Sequence, residues 1–489
     1  MAPEPRPIPP AADAAVPAAA TQAPAATRPP PAASLAASPS AAGAPAPQGL
    51  PYRDGYARLF RDGSFIRRQG KVTQVVGQVI EGFNPGSAVG SLCAIYNPDT
   101  RGRVLAEVIG FRDDKMLMMA LGQMPDISPR CRIIPEDRPP TVRVGDNILG
   151  RVVDGLGRPI DHKGEVVGDE ERALYHPAIN PLHRRRIREP IDVGVRSING
   201  LLTFGQGQRV GLMSGSGVGK SVLMGMMARH TTADVNVIAM VGERGREVLE
   251  FIERELGPEG LQRSVLVVAT SDQPPLIRTR AAFLATAIAE YFRDRGKQVL
   301  FMMDSITRLA MAQREIGLAA GEPPTTKGYP PSVFALLPKL LERAGMSGTE
   351  GSITGIYTVL VEGDDPNDPI GDAVRAIVDG HVFLSRDLAA RGQFPAVDVL
   401  ASTSRVMTDV VPAAHKRLAQ AFVSTLASYK EAEDLINIGA YVRGSNPRID
   451  YALSKIDMMI DFLKQPIEER ASIAQCEAIL QQMFQDYRF

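Results

Sequence analysis

The sequence predicts an α/β core built on a parallel sheet, with a small all-β unit before it and a helical domain after it. Three observations carry this reading. Between about Val193 and Met407, β-type apolar runs alternate with helical segments, the pattern of a parallel sheet covered on both faces. From Lys71, "KVTQVVGQVIEGF", "SLCAIYN", "RVLAEVIGFRDDKMLMMAL" and "CRIIP" are short β-branched-rich runs broken by Gly, Asn-Pro and Asp pairs, which predicts an all-β unit ending near Val144. After Val411, Leu418, Phe422, Leu426 and Tyr429 follow helical spacing, and Ile479, Leu480, Met483, Phe484 and Tyr487 repeat it near the end.

Size and composition bound the rest. At 489 residues the chain exceeds one ordinary core, so two or three domains are expected. Apolar residues at 44% and charged residues at 22% are the balance of a soluble globular protein. A formal net charge of zero argues against a protein whose main role is coating nucleic acid. Cys93, Cys131 and Cys476 are far apart, with no CxxC pair or companion histidine cluster, so neither a zinc site nor a disulfide framework follows. No stretch approaches the roughly 18 apolar residues of a spanning helix, and no basic segment with a Leu-rich core marks a secretory signal. A cytoplasmic location is expected.

Taken in order, residues 1–48 are nearly all Ala and Pro, with Glu4, Arg6, Asp13 and Arg28 the only charges, so a disordered or polyproline-like tail is expected. Residues 49–68 form a short linker or partner-binding segment. Tyr52, Tyr56, Leu59 and Phe60 have helical spacing there, weakened by Gly55 and Gly63. The all-β unit occupies 69–144. "GDNILGRVVDGLGRPID" is a loop-rich connector opening the α/β domain of 145–410, and the helical domain fills 411–489.

The strongest chemical signal is "QRVGLMSGSGVGKSVLMGMM". A β-type run from Arg209 to Met213 enters a glycine-rich turn and leaves as a helix. Gly215, Gly217 and Gly219 allow successive N–H groups to point inward around phosphate oxygens, and the helix start adds its positive dipole end. Lys220 can reach the β and γ phosphates, and the Ser221 hydroxyl can ligate Mg²⁺. The nucleotide-binding stretch is Ser214, Gly215, Ser216, Gly217, Val218, Gly219, Lys220, Ser221 and Val222. The motif G-x-x-x-x-G-K-[ST] has Gly where this chain has Ser214, a residue small enough to fit.

A second buried-strand run, Val235 to Val241, ends in Gly242 and Glu243. Parallel sheets place their sites at the carboxyl ends of strands, where a glutamate can orient and deprotonate an attacking water. A solvated loop glutamate is the alternative reading. A third run, Val299 to Met303, ends in Asp304, the position of the acid that holds the Mg²⁺ shell in P-loop proteins. An aspartate capping the next helix is the alternative there. Arg308, four residues on, can reach the same pocket. Together these residues predict Mg²⁺-dependent nucleotide hydrolysis.

The stretch from Val193 to Met407 resembles the catalytic subunits of rotary ATPases, and more closely the type III secretion and flagellar export ATPases. The resemblance runs over "SGSGVGKS", "GERGREV", "DSITRLAMAQREIGLAAGEPPTTKGYPPSVFALLPKLLERAG", "TVLVEGDDPNDPIGDAVRAIVDGH" and "FPAVDVLASTSRVM". It extends over roughly 70–489 and leaves the Ala/Pro tail unexplained. It implies a RecA-like P-loop core with ATP as its nucleotide, an N-terminal β-barrel and a C-terminal helical domain. It also implies that Glu243 is the catalytic base, that Arg244 lies near the γ-phosphate, and that Arg405 is an arginine finger reaching a neighbouring site. Phe394 matches the position that stacks on adenine. Arg405 as a structural interface arginine and Phe394 as an ordinary core residue are the alternatives. "EGDDPNDP", with Glu362, Asp364, Asp365 and Asp368, matches the loop facing the central pore.

The resemblance further implies a homohexameric ring that energises flagellar export. Its implied partners are a central stalk protein, a peripheral regulator at the N-terminal segment, export substrates with their chaperones, and a membrane export gate. The implied location is the cytoplasmic side of the inner membrane at the flagellar base. The injectisome ATPase, a rotary-synthase catalytic subunit and a non-hydrolysing ring component are the competing readings. A ring RNA helicase is disfavoured, because Lys71 to Val144 offers only Phe83, Tyr96 and Phe111 as aromatic platforms. No nucleic-acid partner is expected. The basic run "HRRRIREP", His183 to Pro190, is read as an interface or membrane-surface patch at most.

Overall fold

The computed structural model describes residues 68–83, 86–124, 126–136, 140–361 and 368–487. The Ala/Pro tail, nearly all of the 49–68 segment, and Glu362, Asp364 and Asp365 lie outside these residues.

The all-β unit is a closed six-stranded barrel. Its strands are β1 (Gly70–Val76), β2 (Val79–Phe83), β3 (Leu92–Tyr96), β4 (Arg103–Arg112), β5 (Lys115–Ala120) and β6 (Arg132–Pro135), in the order β1-β2-β5-β4-β3-β6. Closure comes from β6 pairing with β1, Gly70 opposite Ile133. The two-residue period of a strand sorts the side chains. Met116 and Met118 of β5 fill the barrel with Val72, Ile80, Ile95 and Ile133, while Met119 and Leu121 turn outward into the main core.

The barrel ends earlier than the sequence suggested. Thr141–Val144 (β7) was expected within it, but pairs instead with Glu170–Ala173 (β9), and Val142 and Val144 bury in the main core. With β6 already bonded to β1, no free barrel edge remains for another strand. Nor is the connector all loop. Val152–Asp154 (β8) forms the outermost strand of the main sheet beside β14 (Ser264–Ala269), a run too short to show a period.

A two-stranded pair, β10 (Pro190–Ile191) and β11 (Phe204–Gly205), leads into the sheet. Its strands β12 (Arg209–Ser214), β13 (Val235–Val241), β15 (Gln298–Asp304), β17 (Ser352–Leu360), β18 (Gly380–Leu384) and β19 (Val397–Ser404) join β8 and β14 in the order β19-β18-β12-β17-β15-β13-β14-β8. All pairings along this path are parallel except β18 with β19, and the short β16 (Gly345–Met346) adds an antiparallel contact to β17.

Both faces are covered, as continuous apolar strands require. Along β15, Val299, Phe301 and Met303 pack under helices Pro275–Asp294, Ile306–Ala320 and Pro331–Leu341. Leu300 and Met302 belong to the core on the opposite face, which also takes in the helix Lys220–His230 and the C-terminal helices. Those are Ala413–Asn437, Pro447–Leu463 and Ile473–Met483. Phe422 stands at their centre, its ring 5.5 Å from that of Phe462 and 6.1 Å from that of Phe484. Among the described residues no helix is long and apolar enough to cross a membrane.

Candidate nucleotide site

The sheet order sets β17 between β12 and β15, with β13 on the far side of β15. The carboxyl ends of these strands therefore gather Ser214, Glu243, Asp304 and Thr358 at one edge. The chain leaves β12 through Gly217 (φ +80°) and Gly219 (φ +89°), left-handed conformations that favour glycine, and enters the helix at Lys220. Ser216 and Gly217 are exposed, as is Ser221, while Ser214, Gly215 and Val218 are buried and Val222 is partly covered.

Lys220 binds the acids across the loop. Its Nζ donates to Asp304 Oδ1 and lies 3.8 Å from Glu243 Oε1. Asp304 is buried at 3% exposure and also accepts from Thr358 Oγ1 at 2.7 Å. Glu243 is 6% exposed, and its Oε1 has no hydrogen-bond partner. Burial first, then the nearby Asp304 charge, push its carboxyl up to about 7, with Lys220 opposing. A hydrogen bond from Glu243 in turn holds Glu247 below its ordinary range.

Arg308 sits on the first turn of helix Ile306–Ala320, capped by Ser305. A Cβ on Gly242 would meet Arg308 Cβ at 2.8 Å, and Gly242 has φ +75°. Glycine at 242 thus lets the arginine stem lie against the strand end that presents Glu243. The Nε of Arg308 is buried without a partner. Phe394 is half exposed, and its ring lies 3.7 Å from where a Cβ on Gly219 would be. An apolar ring face is thus available beside the phosphate loop.

Two predicted residues are not brought into this cluster. The Arg244 side chain is 77% exposed and pairs with Glu247 at 3.5 Å. Arg405 is exposed and follows β19, which runs antiparallel to β18. Leu384 of β18 is level with Ser214, whereas Gly380, opposite Ser404, is at the other end of the strand. Those four steps are roughly 13 Å, farther than an arginine side chain extends.

Two further residues have structural partners. Asp368 caps helix Pro369–Ile377, its Oδ2 accepting from Gly371 N at 2.7 Å. In the basic run, Arg184 is partly buried and donates to the carbonyls of Ala344 and Glu342, so part of that run fastens the chain internally. Sequence reading passed over Thr358 and Glu247. Thr358 carried no signal, being one of several polar side chains in its strand with Ser352, Thr354 and Tyr357, whereas Glu247 was recoverable as a second acid four residues after Glu243.

The donor set suits a magnesium nucleotide. Mg²⁺ keeps several waters and uses one or two protein oxygens with substrate phosphates. Ser221 at the helix start and the Asp304 carboxylate supply such oxygens, and the buried, unpartnered Ser214 Oγ and Glu243 Oε1 leave polar capacity facing the same loop. Among the described residues no three-acid or histidine cluster forms a separate metal cage.

Comparison with known proteins agrees with this arrangement. Residues 72–136 match the ATP synthase alpha/beta family beta-barrel domain, 194–404 its nucleotide-binding domain, and 411–482 the T3SS EscN ATPase C-terminal domain. The chain is 54% identical to the flagellum-specific ATP synthase of Bacillus subtilis, over 85% of this chain and 94% of that one. It is 52% identical to the type 3 secretion system ATPase of Xanthomonas euvesicatoria, over 82% and 91%. The assembled ATPase EscN of enteropathogenic E. coli superposes with a TM-score of 0.81 at 45% identity, over 85% of this chain and 99% of that one. With a barrel, a P-loop sheet and a helical C-terminus each matched in order, the chain belongs to the ATP synthase alpha/beta family, among the flagellum-specific and type 3 secretion ATPases.

Proposed function

We propose that the chain works as a ring of identical subunits whose ATP hydrolysis energises flagellar protein export. The observation that carries the chemistry is the convergence of Lys220, Glu243 and Asp304 at adjoining strand ends. The phosphate loop from Ser214 to Val222 holds the triphosphate, Lys220 compensates charge on the β and γ phosphates, and Phe394 stacks on adenine. Glu243 takes a proton from water as its oxygen attacks the γ-phosphorus in line. The bond from that phosphorus to the bridging oxygen breaks, and ADP leaves with the electron pair. Arg308 and Arg244 act on charge developing at the transferred group, Arg244 by turning inward once nucleotide is bound. Ser221 and, through water, Asp304 would hold Mg²⁺, which neutralises phosphate charge when bound.

Arg405 is too far from its own phosphate loop to serve it, which favours its use as a finger in a neighbouring subunit. EscN has been solved assembled, and also in complex with its central stalk EscO; a homohexamer around a stalk protein is the corresponding reading for this chain. The domain division follows as a barrel from 69 that closes at Pro135, a P-loop domain that takes in Thr141–Val144 and runs to 410, and a helical domain of 411–489. The remaining partners are a regulator at the N-terminal segment, export substrates with chaperones, and a membrane gate at the cytoplasmic face of the flagellar base. A second setting, the injectisome, is favoured by the near-equal identity to the Xanthomonas ATPase.

Hydrolysis measured across protein concentration, with mass determined alongside, tests the ring. Specific activity rising together with a hexamer-sized species is expected. A concentration-independent rate from a monomer would overturn it.

A further inference from the structure

Phe394 is fixed to the rest of the molecule from an unexpected direction. Its carbonyl accepts from the backbone N–H of Gln465 at 2.9 Å. Gln465 is the second residue after helix Pro447–Leu463, and only 5% exposed. Its side chain is fully engaged. Oε1 accepts from Arg196 N at 2.7 Å, and Nε2 donates to Gly194 O at 2.8 Å and to Glu469 O at 2.7 Å. Two more contacts tighten the junction. Arg196 pairs with Glu469 at 2.8 Å, and Ala471 N donates to Gly194 O.

One glutamine thus joins three segments that are distant in sequence: the entry to the P-loop domain at 194–196, the nucleotide loop at Phe394, and the last part of the helical domain. With both N–H groups donating and its oxygen accepting, the buried amide holds the Gln465 backbone, and with it the N–H bonded to Phe394, in one geometry, because any displacement strands a polar group away from water. The Phe394 ring itself is half exposed and lies beside Gly219. Moving helix Pro447–Leu463 therefore pulls on the Phe394 backbone before it disturbs the phosphate loop.

We infer that Gln465 is a positioning residue that sets the adenine-binding geometry of Phe394 and ties it to the placement of the C-terminal helices. This rests on the reading of Phe394 as the base-stacking residue. Substituting Gln465 should weaken recognition of the base and leave recognition of the phosphates intact. The loss of buried hydrogen bonds predicts an increase of about five- to tenfold in KM for ATP, with a smaller change in kcat.

The test compares ATP with tripolyphosphate, a competitive inhibitor that has no base. Gln465→Ala and Gln465→Met are measured alone and combined with Phe394→Ala in the full-length chain. Gln465→Met keeps the buried volume and the backbone N–H to Phe394 but makes none of the three side-chain hydrogen bonds, so it reports even where the cavity left by alanine prevents folding. The expected result is a raised KM for ATP, an unchanged inhibition constant for tripolyphosphate, and no further rise when either change is added to Phe394→Ala. Equal weakening of ATP and tripolyphosphate, or additive effects in the double variant, would overturn the inference. Failure of the stacking reading itself looks different: Phe394→Ala alone would leave the KM for ATP unchanged.

Discussion

Lys220 Nζ lies 3.8 Å from Glu243 Oε1 while bonded on its other side to Asp304. One cation thus serves two buried acids that repel each other, and Glu243 keeps an oxygen that nothing in the described residues satisfies. Such a carboxylate is held near neutrality by its surroundings and has a free lone pair for water. That combination suits a general base.

Replacing Glu243 with Gln keeps the shape and removes the base. Hydrolysis should fall about 10²–10⁴-fold, while binding of a fluorescent ATP analogue stays within a few-fold of the parent chain. In the parent, kcat/KM should fall as pH drops below about 7, because protonated Glu243 cannot accept a proton from water. A pH–rate profile with no acidic limb near that value would contradict the assignment.

The same shift predicts a stability effect with a definite sign. Folded Glu243 titrates near 7 against an ordinary 4.5, so between these values the folded chain binds more protons than the unfolded one. Stability is therefore lost as pH rises through this window. In nucleotide-free protein, Glu243→Gln should be more stable than the parent by roughly 1–3 kcal/mol at about pH 8, with little difference at about pH 4.5. Thermal melts at the two pH values check this.

A second test concerns the scaffold. Arg343, whose side chain is fully buried, bonds both oxygens of Glu290 at 2.9 and 2.5 Å and donates to Leu174 O at 2.8 Å. It fastens the segment after β9 to the helix Pro275–Asp294. Arg343→Ala leaves Glu290 buried and unpaired, and should cost about 3–5 kcal/mol of stability in denaturant unfolding. Arg343→Ala with Glu290→Ala should recover part of that loss.

How much of this was legible in sequence depended on distance along the chain. Lys220, Ser221 and Asp304 were readable because strand, turn and helix are contiguous around them. Glu243 was visible only as an acid at a strand end, and its poise comes from Asp304 and Lys220, which only the fold places beside it. Thr358 and Gln465 escaped because their partners, Asp304 and Phe394, are joined to them through sheet order and domain packing rather than spacing. The barrel boundary was missed for the same reason. β7 has the composition of a barrel strand, but the β1–β6 pairing had already closed the ring.

The central claim is a site completed by a neighbour, and mixing tests it most directly. Glu243→Gln and Arg405→Ala chains should each be nearly inactive. Mixed in equal amounts and allowed to reassemble, an interface works when an intact Glu243 meets an intact Arg405 from the next subunit. Random mixing then predicts recovery of about a quarter of parental activity. A mixture as inactive as its components, or an Arg405→Ala chain active alone, would contradict the account.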